Sequence, residues 1–231
     1  MKVTALFISD VHLGSKGCQA KELLKVLKKY EPKNLFIVGD FIDGWLLKKR
    51  HYWTQDFTNV IRKVLSLSKN GTRVYYITGN HDDFLRAYSP STFGNIEILD
   101  EIVWKGYYIT HGDLYDGVVS MKWLGVLGSV GYEIAINIDA FLKRFGYKRS
   151  LSSYLKKKVK GAVKFITSFE RQLAYQALIK ECQGVIAGHI HTPDDRWIDI
   201  KDTSIRYMNT GDWIENNSYI IYNKGRFELM K

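Results

Sequence analysis

Two cysteines and three prolines are all that the 231 residues contain of either type. Cys18 and Cys182 stand far apart, each without a cysteine neighbour. That excludes a disulfide scaffold and a cysteine zinc module, and it suits a reducing compartment. The prolines mark no interdomain linker. Long apolar runs are missing as well. The opening stretch, residues 3–8, stops at Ser9-Asp10, short of a secretory-signal core. The best candidate for a membrane span, residues 123–142, carries Glu133 and Asp139 in its interior. The expectation is a cytoplasmic chain that does not cross a membrane.

The longest acid-free region is also the most basic. Residues 140–169 hold nine bases (Lys143, Arg144, Lys148, Arg149, Lys156, Lys157, Lys158, Lys160 and Lys164) and no Asp or Glu. The net charge is +10, and removing this stretch leaves 25 bases against 24 acids. A positive field this local implies an anionic partner: phosphate, nucleic acid or lipid surface. With 45% hydrophobic and 14% aromatic residues, the remainder can fill a real core.

Short hydrophobic runs at 4–9, 35–39, 73–78, 107–110 and 184–187 read as buried strands. Helical patterns at 20–30 and 54–69 separate the first three, which is the alternation of a layered α/β fold. Runs at 205–208, 218–222 and 226–229 read as antiparallel strands, the last two joined by the Asn223-Lys224-Gly225 turn. Between about 118 and 180 the pattern is helical. Apolar residues such as Leu155, Val159, Val163 and Ile166 take one face; Lys157, Lys160 and Lys164 take the other. The chain therefore reads as a single domain, 1–231, with a helical insertion or cap.

Each clear strand is followed at once by a residue able to bind metal: Asp10-Val11-His12, Gly39-Asp40, Gly79-Asn80-His81-Asp82, His111-Gly112-Asp113 and Gly188-His189-Ile190-His191. Ligands in α/β sheets gather at the carboxyl ends of strands. Five of the six histidines belong to this set, His51 being the exception. Mixed Asp, Asn and His without thiolate suits Mn²⁺, Fe²⁺ or Zn²⁺. The ligands are too many for one ion, and a carboxylate such as Asp40 can bridge two held about 3.5–4 Å apart. Such a pair polarises a phosphoryl group and lowers the pKa of water. Singly, each motif is as readily a turn or a core histidine. Five in order are not.

Taken together, Asp10-x-His12, Gly39-Asp40-x-x-Asp43, Gly79-Asn80-His81-Asp82, His111-Gly112-Asp113 and Gly188-His189-x-His191 resemble the signature of the calcineurin-like metallophosphoesterases. The resemblance implies a four-layer α/β/β/α sandwich and a dinuclear centre, with Mn²⁺ the first expectation. It places Asp10, His12 and His191 on one metal, Asn80, His111 and His189 on the second, and Asp40 between them. His81 takes the place of the histidine that contacts phosphate and protonates the leaving group, a role imidazole chemistry allows. Asp82 is expected to orient it, with Asp43 and Asp113 supporting histidines or turns.

The extension His111-Gly112-Asp113-x-x-Asp116, the Gly39–Trp45 stretch and the lysine-bearing insertion resemble the UDP-2,3-diacylglucosamine diphosphatase group. That implies cleavage of a nucleotide-linked lipid precursor to UMP and a lipid 1-phosphate, in lipid A synthesis. Asp116, Lys157, Lys160 and Lys164 are the candidate substrate contacts. Apolar residues beside the insertion's bases also suit peripheral contact with an anionic membrane. That group carries Arg where this chain has His81, and Arg clamps a diphosphate in a way His does not. A related branch acting on another phosphate ester stays open. So does a nuclease whose basic strip tracks nucleic-acid phosphates, although the aromatics there are few. A metal-free scaffold of the same fold would lack ligands, and all seven positions are filled. Oligomeric state is not readable.

Overall fold

A computed structural model describes residues 1–115 and 166–231. One compact unit comprises residues 1–115 and 173–231; the other, residues 116–172, falls almost wholly outside the described residues. Asp116, Lys157, Lys160 and Lys164 lie outside them, as does most of the expected 118–180 insertion. The last part of that expected insertion, residues 173–180, belongs to the first unit.

Strand β1 (Lys2–Ile8) leads through helix α1 (Ala20–Lys29) to β2 (Glu31–Val38). Helices α2 (Gly44–Lys49) and α3 (Gln55–Lys69) then lead to β3 (Arg73–Ile77). Helical spacing buries Ala20, Leu23 and Leu27 on α1, and Phe57, Val60, Val64 and Leu67 on α3. Thr54 caps α3 by accepting from the Phe57 N–H. β1, β2 and β3 pair in parallel, as two crossover helices require.

Buried on both faces, these strands are near-continuous hydrophobic runs. Leu6, Ile8, Leu35, Ile37, Val74 and Tyr76 meet the α1–α3 core. Ala5, Phe7, Phe36, Val38, Tyr75 and Ile77 point into a second core. There Phe7, Phe36 and Tyr75 sit in register across the three strands, their rings stacked at 4.6 Å spacing.

Short strands β4 (Ser91–Phe93) and β5 (Ile96–Leu99) complete one edge of this sheet. β11 (Tyr219–Asn223) and β12 (Arg226–Met230) complete the other, giving the order β12-β11-β1-β2-β3-β5-β4. The second sheet runs β6-β7-β8-β10-β9, from β6 (Glu101–Trp104), β7 (Tyr107–Thr110), β8 (Gly184–Ala187), β9 (Asp194–Ile200) and β10 (Thr203–Asn209). Tyr107, Ile109, Ile186 and Met208 form its side of the inter-sheet core. On its other face Tyr108, Val185 and Tyr207 are fully buried, as are Leu173, Ala174 and Ala177 of the helix over residues 166–179. The layering is the α/β/β/α sandwich expected from sequence. Both cysteines are free.

The parallel strands decide where chemistry can sit. β7, β8 and β10 are mutually parallel, like β1, β2 and β3. The two sets of strand ends meet across the sandwich: Gly39 after β2 abuts His111 after β7, and Gly188 after β8 abuts Asp10 after β1.

Candidate metal centre

Five site residues leave their strands in the left-handed backbone region. Asp10, His12 and Asp40 have φ of 50–52°, His191 of 53° and His189 of 72°. Each such non-glycine residue costs on the order of 1–2 kcal/mol, so neighbouring contacts must hold it. Three hydrogen bonds do this beyond the ends of β1 and β2: Asp10 N–H to Gly39 O at 3.1 Å, His12 N–H to Asp40 O at 2.9 Å, and Leu13 N–H to Phe41 O at 2.9 Å. At two positions only glycine fits. Gly39 has φ +80°, and a Cβ there would lie 2.2 Å from His111 Nδ1. A Cβ at Gly79 would lie 2.3 Å from Asp40 Oδ1. Removing those side chains lets neighbouring strands deliver carboxylate and imidazole into one space.

Asp40 is the hub. Its Oδ2 lies 3.7 Å from His12 Nε2, 3.4 Å from His111 Nε2 and 3.9 Å from His81 Nε2, while its Oδ1 accepts from the His81 N–H at 2.7 Å. On one side, His12 Nε2 and His191 Nε2 are 3.3 Å apart, and His191 Nε2 is 3.2 Å from Asp10 Oδ1. On the other, His111 Nδ1 donates to Val38 O at 2.9 Å. That bond leaves the lone pair on Nε2, which then faces the Asp40 carboxylate.

Two lone-pair-bearing atoms facing each other in a buried site repel unless a cation lies between them. His111 Nε2 and Asn80 Oδ1 are both buried without a hydrogen-bond partner. Asp10, His12 and His191 present ligand atoms within 4.8 Å of one another, and so do Asp10, Asp40 and His111. Both the orphaned atoms and the donor chemistry fit divalent cations.

Electrostatics agree with the geometry. Burial acts to raise the Asp40 carboxyl, but His111, His12 and His81 outweigh it and hold the group well below the usual range. Burial would likewise lower the His111 imidazole, yet the Asp40 charge lifts it to about 10. His191 is raised in the same way against its own burial, by Asp10. A proton on these imidazoles occupies ground that a metal ion would take.

Around this hub, Asp43 accepts at both oxygens. Oδ2 is 3.2 Å from His12 Nδ1; Oδ1 is 2.9 Å from His81 Nδ1 and caps α2 through the Leu46 N–H, also at 2.9 Å. His12, Asp43 and His81 are also close enough to suggest a third ligand group. The Asp43 oxygens are already engaged by hydrogen-bonding nitrogens, so the group reads as support for the two histidines.

The orienting contact expected from Asp82 belongs to Asp43 instead. Asp82, fully buried, accepts from the N–H groups of Gly79 and Phe41 and from the Tyr76 hydroxyl, at 2.6, 2.8 and 2.6 Å. It fastens the loop after β3 to the loop after β2. Burial, reinforced by Asp40, raises its carboxyl above the ordinary range. Asp113 pairs with Arg86 at 2.7 Å and holds the turn after β3 to the one after β7.

Other expected ligands are also at the site. The His189 N–H donates to both Asp10 oxygens, at 3.2 and 3.0 Å, and its ring lies 5.2 Å from that of His111. His81 packs edge-on to His12 and against Trp45, with ring centroids 4.5 Å apart in each pair. The Asn209-Thr210-Gly211-Asp212 turn after β10, with no expected role beyond packing, also contributes. That turn holds two ligand segments. Asn209 Nδ2 donates to Gly188 O at 2.7 Å, and the Trp213 N–H to Asp10 O at 3.1 Å. Asp212 caps the following residues, from which Asn216 Nδ2 reaches His191 O at 3.0 Å. The available signal was another Gly-Asp close behind a strand, as in Gly39-Asp40.

The sequence model of the calcineurin-like phosphoesterases matches residues 3–193. A Porphyromonas gingivalis protein named UDP-2,3-diacylglucosamine hydrolase is 25% identical over 96% of this chain and 95% of its own. A Vibrio parahaemolyticus protein of the same name is 26% identical over 98% and 97%. Among solved structures, a dimetal phosphatase from Danio rerio aligns with 97% of this chain and 94% of its own at 12% identity, with a TM-score of 0.47.

Proposed function

This chain belongs to the calcineurin-like phosphoesterase family and is a metal-dependent phosphoester hydrolase; from that premise we propose that it cleaves the pyrophosphate of UDP-2,3-diacylglucosamine, releasing UMP and the lipid 1-phosphate. Support comes from relatives of that name aligned over nearly the whole chain. The observation that carries the mechanism is Asp40, one carboxylate shared by two sets of buried ligand atoms.

Asp10, His12 and His191 would hold one divalent ion, and Asn80, His111 and His189 the other. Asp40 serves both. Oxygen and imidazole donors without thiolate suit Mn²⁺, with Fe²⁺ and Zn²⁺ also compatible. When bound, such a pair polarises the phosphoryl oxygens and makes water a competent nucleophile near neutral pH.

His81 is the proton donor to the leaving oxygen in this account. Asp43 fixes its Nδ1, Trp45 covers one ring face, and Nε2 is left on the Asp40 side. Asp82 acts at a distance by locking the loop that carries Asn80 and His81. Lys157, Lys160 and Lys164 are assigned to the anionic groups of the substrate, and Asp116 to an uncharged part of it.

One observation favours a second reading. A phosphate leaving group departs with little proton assistance, whereas an alkoxide needs a great deal. A histidine held as His81 is suits a phosphodiester of an alcohol. Among the described residues no helix is long and apolar enough to cross a membrane. A lipid-linked substrate would place the enzyme at the cytoplasmic face of one. Hydrolysis of UDP-2,3-diacylglucosamine, with and without Mn²⁺ and beside bis-p-nitrophenyl phosphate, tests the assignment. UMP release that disappears in Asp40→Asn supports it; cleavage of the generic diester alone redirects the substrate.

A further inference from the structure

Helix α2 divides its residues between the fold and the solvent. Leu47 packs against Gly14, where an added Cβ would lie 3.0 Å from its Cγ. Trp45 and Leu46 face outward, 37% and 40% exposed, and Trp53 beyond the helix is 42% exposed. Helical spacing puts Lys48 and Lys49 beside Trp45, and Lys49 and Arg50 beside Leu46. All three bases are exposed, and none has an ion-pair partner among the described residues. Lys16, from the loop after β1, lies 5.7 Å from the Tyr52 ring and adds a fourth cation. No acid occurs between Asp43 and Asp56. Exposed indole and aliphatic side chains among unpaired bases match the composition of interfacial segments. The patch is also continuous with the site, because the Trp45 ring lies against that of His81, centroids 4.5 Å apart.

We propose that the α2 face docks on an anionic lipid bilayer, with Leu46 and Trp53 entering the headgroup layer and Lys48, Lys49, Arg50 and Lys16 meeting lipid phosphates. The proposal deepens the lipid-substrate reading and rests on it for its purpose: a lipid-linked substrate reaches His81 past Trp45 without crossing open water. Charge complementarity argues for a bilayer, and Leu46 argues against a nucleic acid, whose bases stack on aromatics and not on aliphatic side chains.

The test compares the full chain with Lys48→Gln/Lys49→Gln/Arg50→Gln on vesicles of phosphatidylglycerol and phosphatidylcholine in equal parts, and on phosphatidylcholine alone. Each base near an anionic surface contributes enough that losing three lowers partitioning on the order of a hundredfold. Raised salt weakens wild-type binding too, and Lys48→Arg/Lys49→Arg/Arg50→Lys binds as wild type. Hydrolysis of water-soluble bis-p-nitrophenyl phosphate is unchanged in both variants, so a failed catalytic reading shows there and not in partitioning. Three results overturn the proposal: unchanged partitioning of the Gln variant, no wild-type preference for the anionic vesicles, or displacement of the wild type from them by an oligonucleotide.

Discussion

Replacing Gly79 by alanine adds one methyl group at the point where two strand ends come closest. The new Cβ would lie 2.3 Å from Asp40 Oδ1 and 2.5 Å from the Asp40 backbone nitrogen. Carbon and oxygen need roughly 1 Å more than that. Gly79 is itself pinned, its N–H bound to Asp82 Oδ1 at 2.6 Å, and Asp40 is fixed by its left-handed backbone and the His81 N–H. The relief must therefore come from a shift of the whole Asp40 residue against those restraints, its carboxylate included. Overpacking of this kind costs about 1–3 kcal/mol of stability, a fall of several degrees in Tm. A displacement of about 1 Å at the shared carboxylate costs on the order of a hundredfold in kcat/KM. The assay is Mn²⁺-dependent hydrolysis of bis-p-nitrophenyl phosphate, read beside thermal unfolding and Mn²⁺ affinity. Gly71→Ala is the control: φ there is +94° and no atom lies within 4 Å of an added Cβ. It should lose about 1–2 kcal/mol of stability and no activity. A Gly79→Ala enzyme with wild-type kcat/KM and Mn²⁺ affinity would refute the reasoning.

His81→Gln keeps a polar side chain but loses the proton donor. It should slow diesters with alkyl leaving groups by about 10²–10⁴-fold and leave those with good leaving groups nearly unchanged; an equal loss on both kinds contradicts the role. In the metal-free protein the His111 imidazole, raised to about 10 by Asp40, is still protonated at neutral pH. Metal uptake near pH 7 therefore releases protons, and apparent affinity climbs with pH toward about 10. The same raised group stabilises the metal-free fold below the unfolded pKa of about 6.5, and that stability is lost as pH rises through about 10. Calorimetric titration in two buffers of different ionisation enthalpy reads the protons, and none released would contradict the geometry. Phe36, fully buried in the ring stack between Phe7 and Tyr75, should cost about 3–5 kcal/mol on replacement by alanine, read as a lower urea midpoint.

The strands carrying the ligands were legible because they are buried on both faces, which makes 4–9, 35–39 and 73–78 unbroken apolar runs. Strands β4, β5, β6 and β9 were not, whereas the edge strand β12 was. β5 and β6 are separated only by Asp100, so no Gly or Pro marks the point at which the chain passes from one sheet to the other. Candidate ligands could be picked out because each motif stands directly behind a strand. Asp43 and Asp113 were expected to support histidines or turns, but that Asp43 reaches both His12 and His81 and that Asp82 reaches Phe41 follows only from the fold. Asp82 was misplaced for that reason: adjacency in sequence suggested a partner for His81, while the backbone turns its carboxylate toward Gly79, Phe41 and Tyr76. Trp45 against His81 is a contact between helix α2 and the loop after β3, with no local signature.

The central claim is that Asp40 serves two cations at once. Loading the metal-free chain with Mn²⁺, counting ions per chain after gel filtration and recording the electron paramagnetic resonance spectrum test it directly. The account predicts two Mn²⁺ per chain with the signature of an exchange-coupled pair, and loss of the coupling in Asp40→Asn. A single ion per chain, or two uncoupled ions whose spectrum ignores Asp40→Asn, would contradict it.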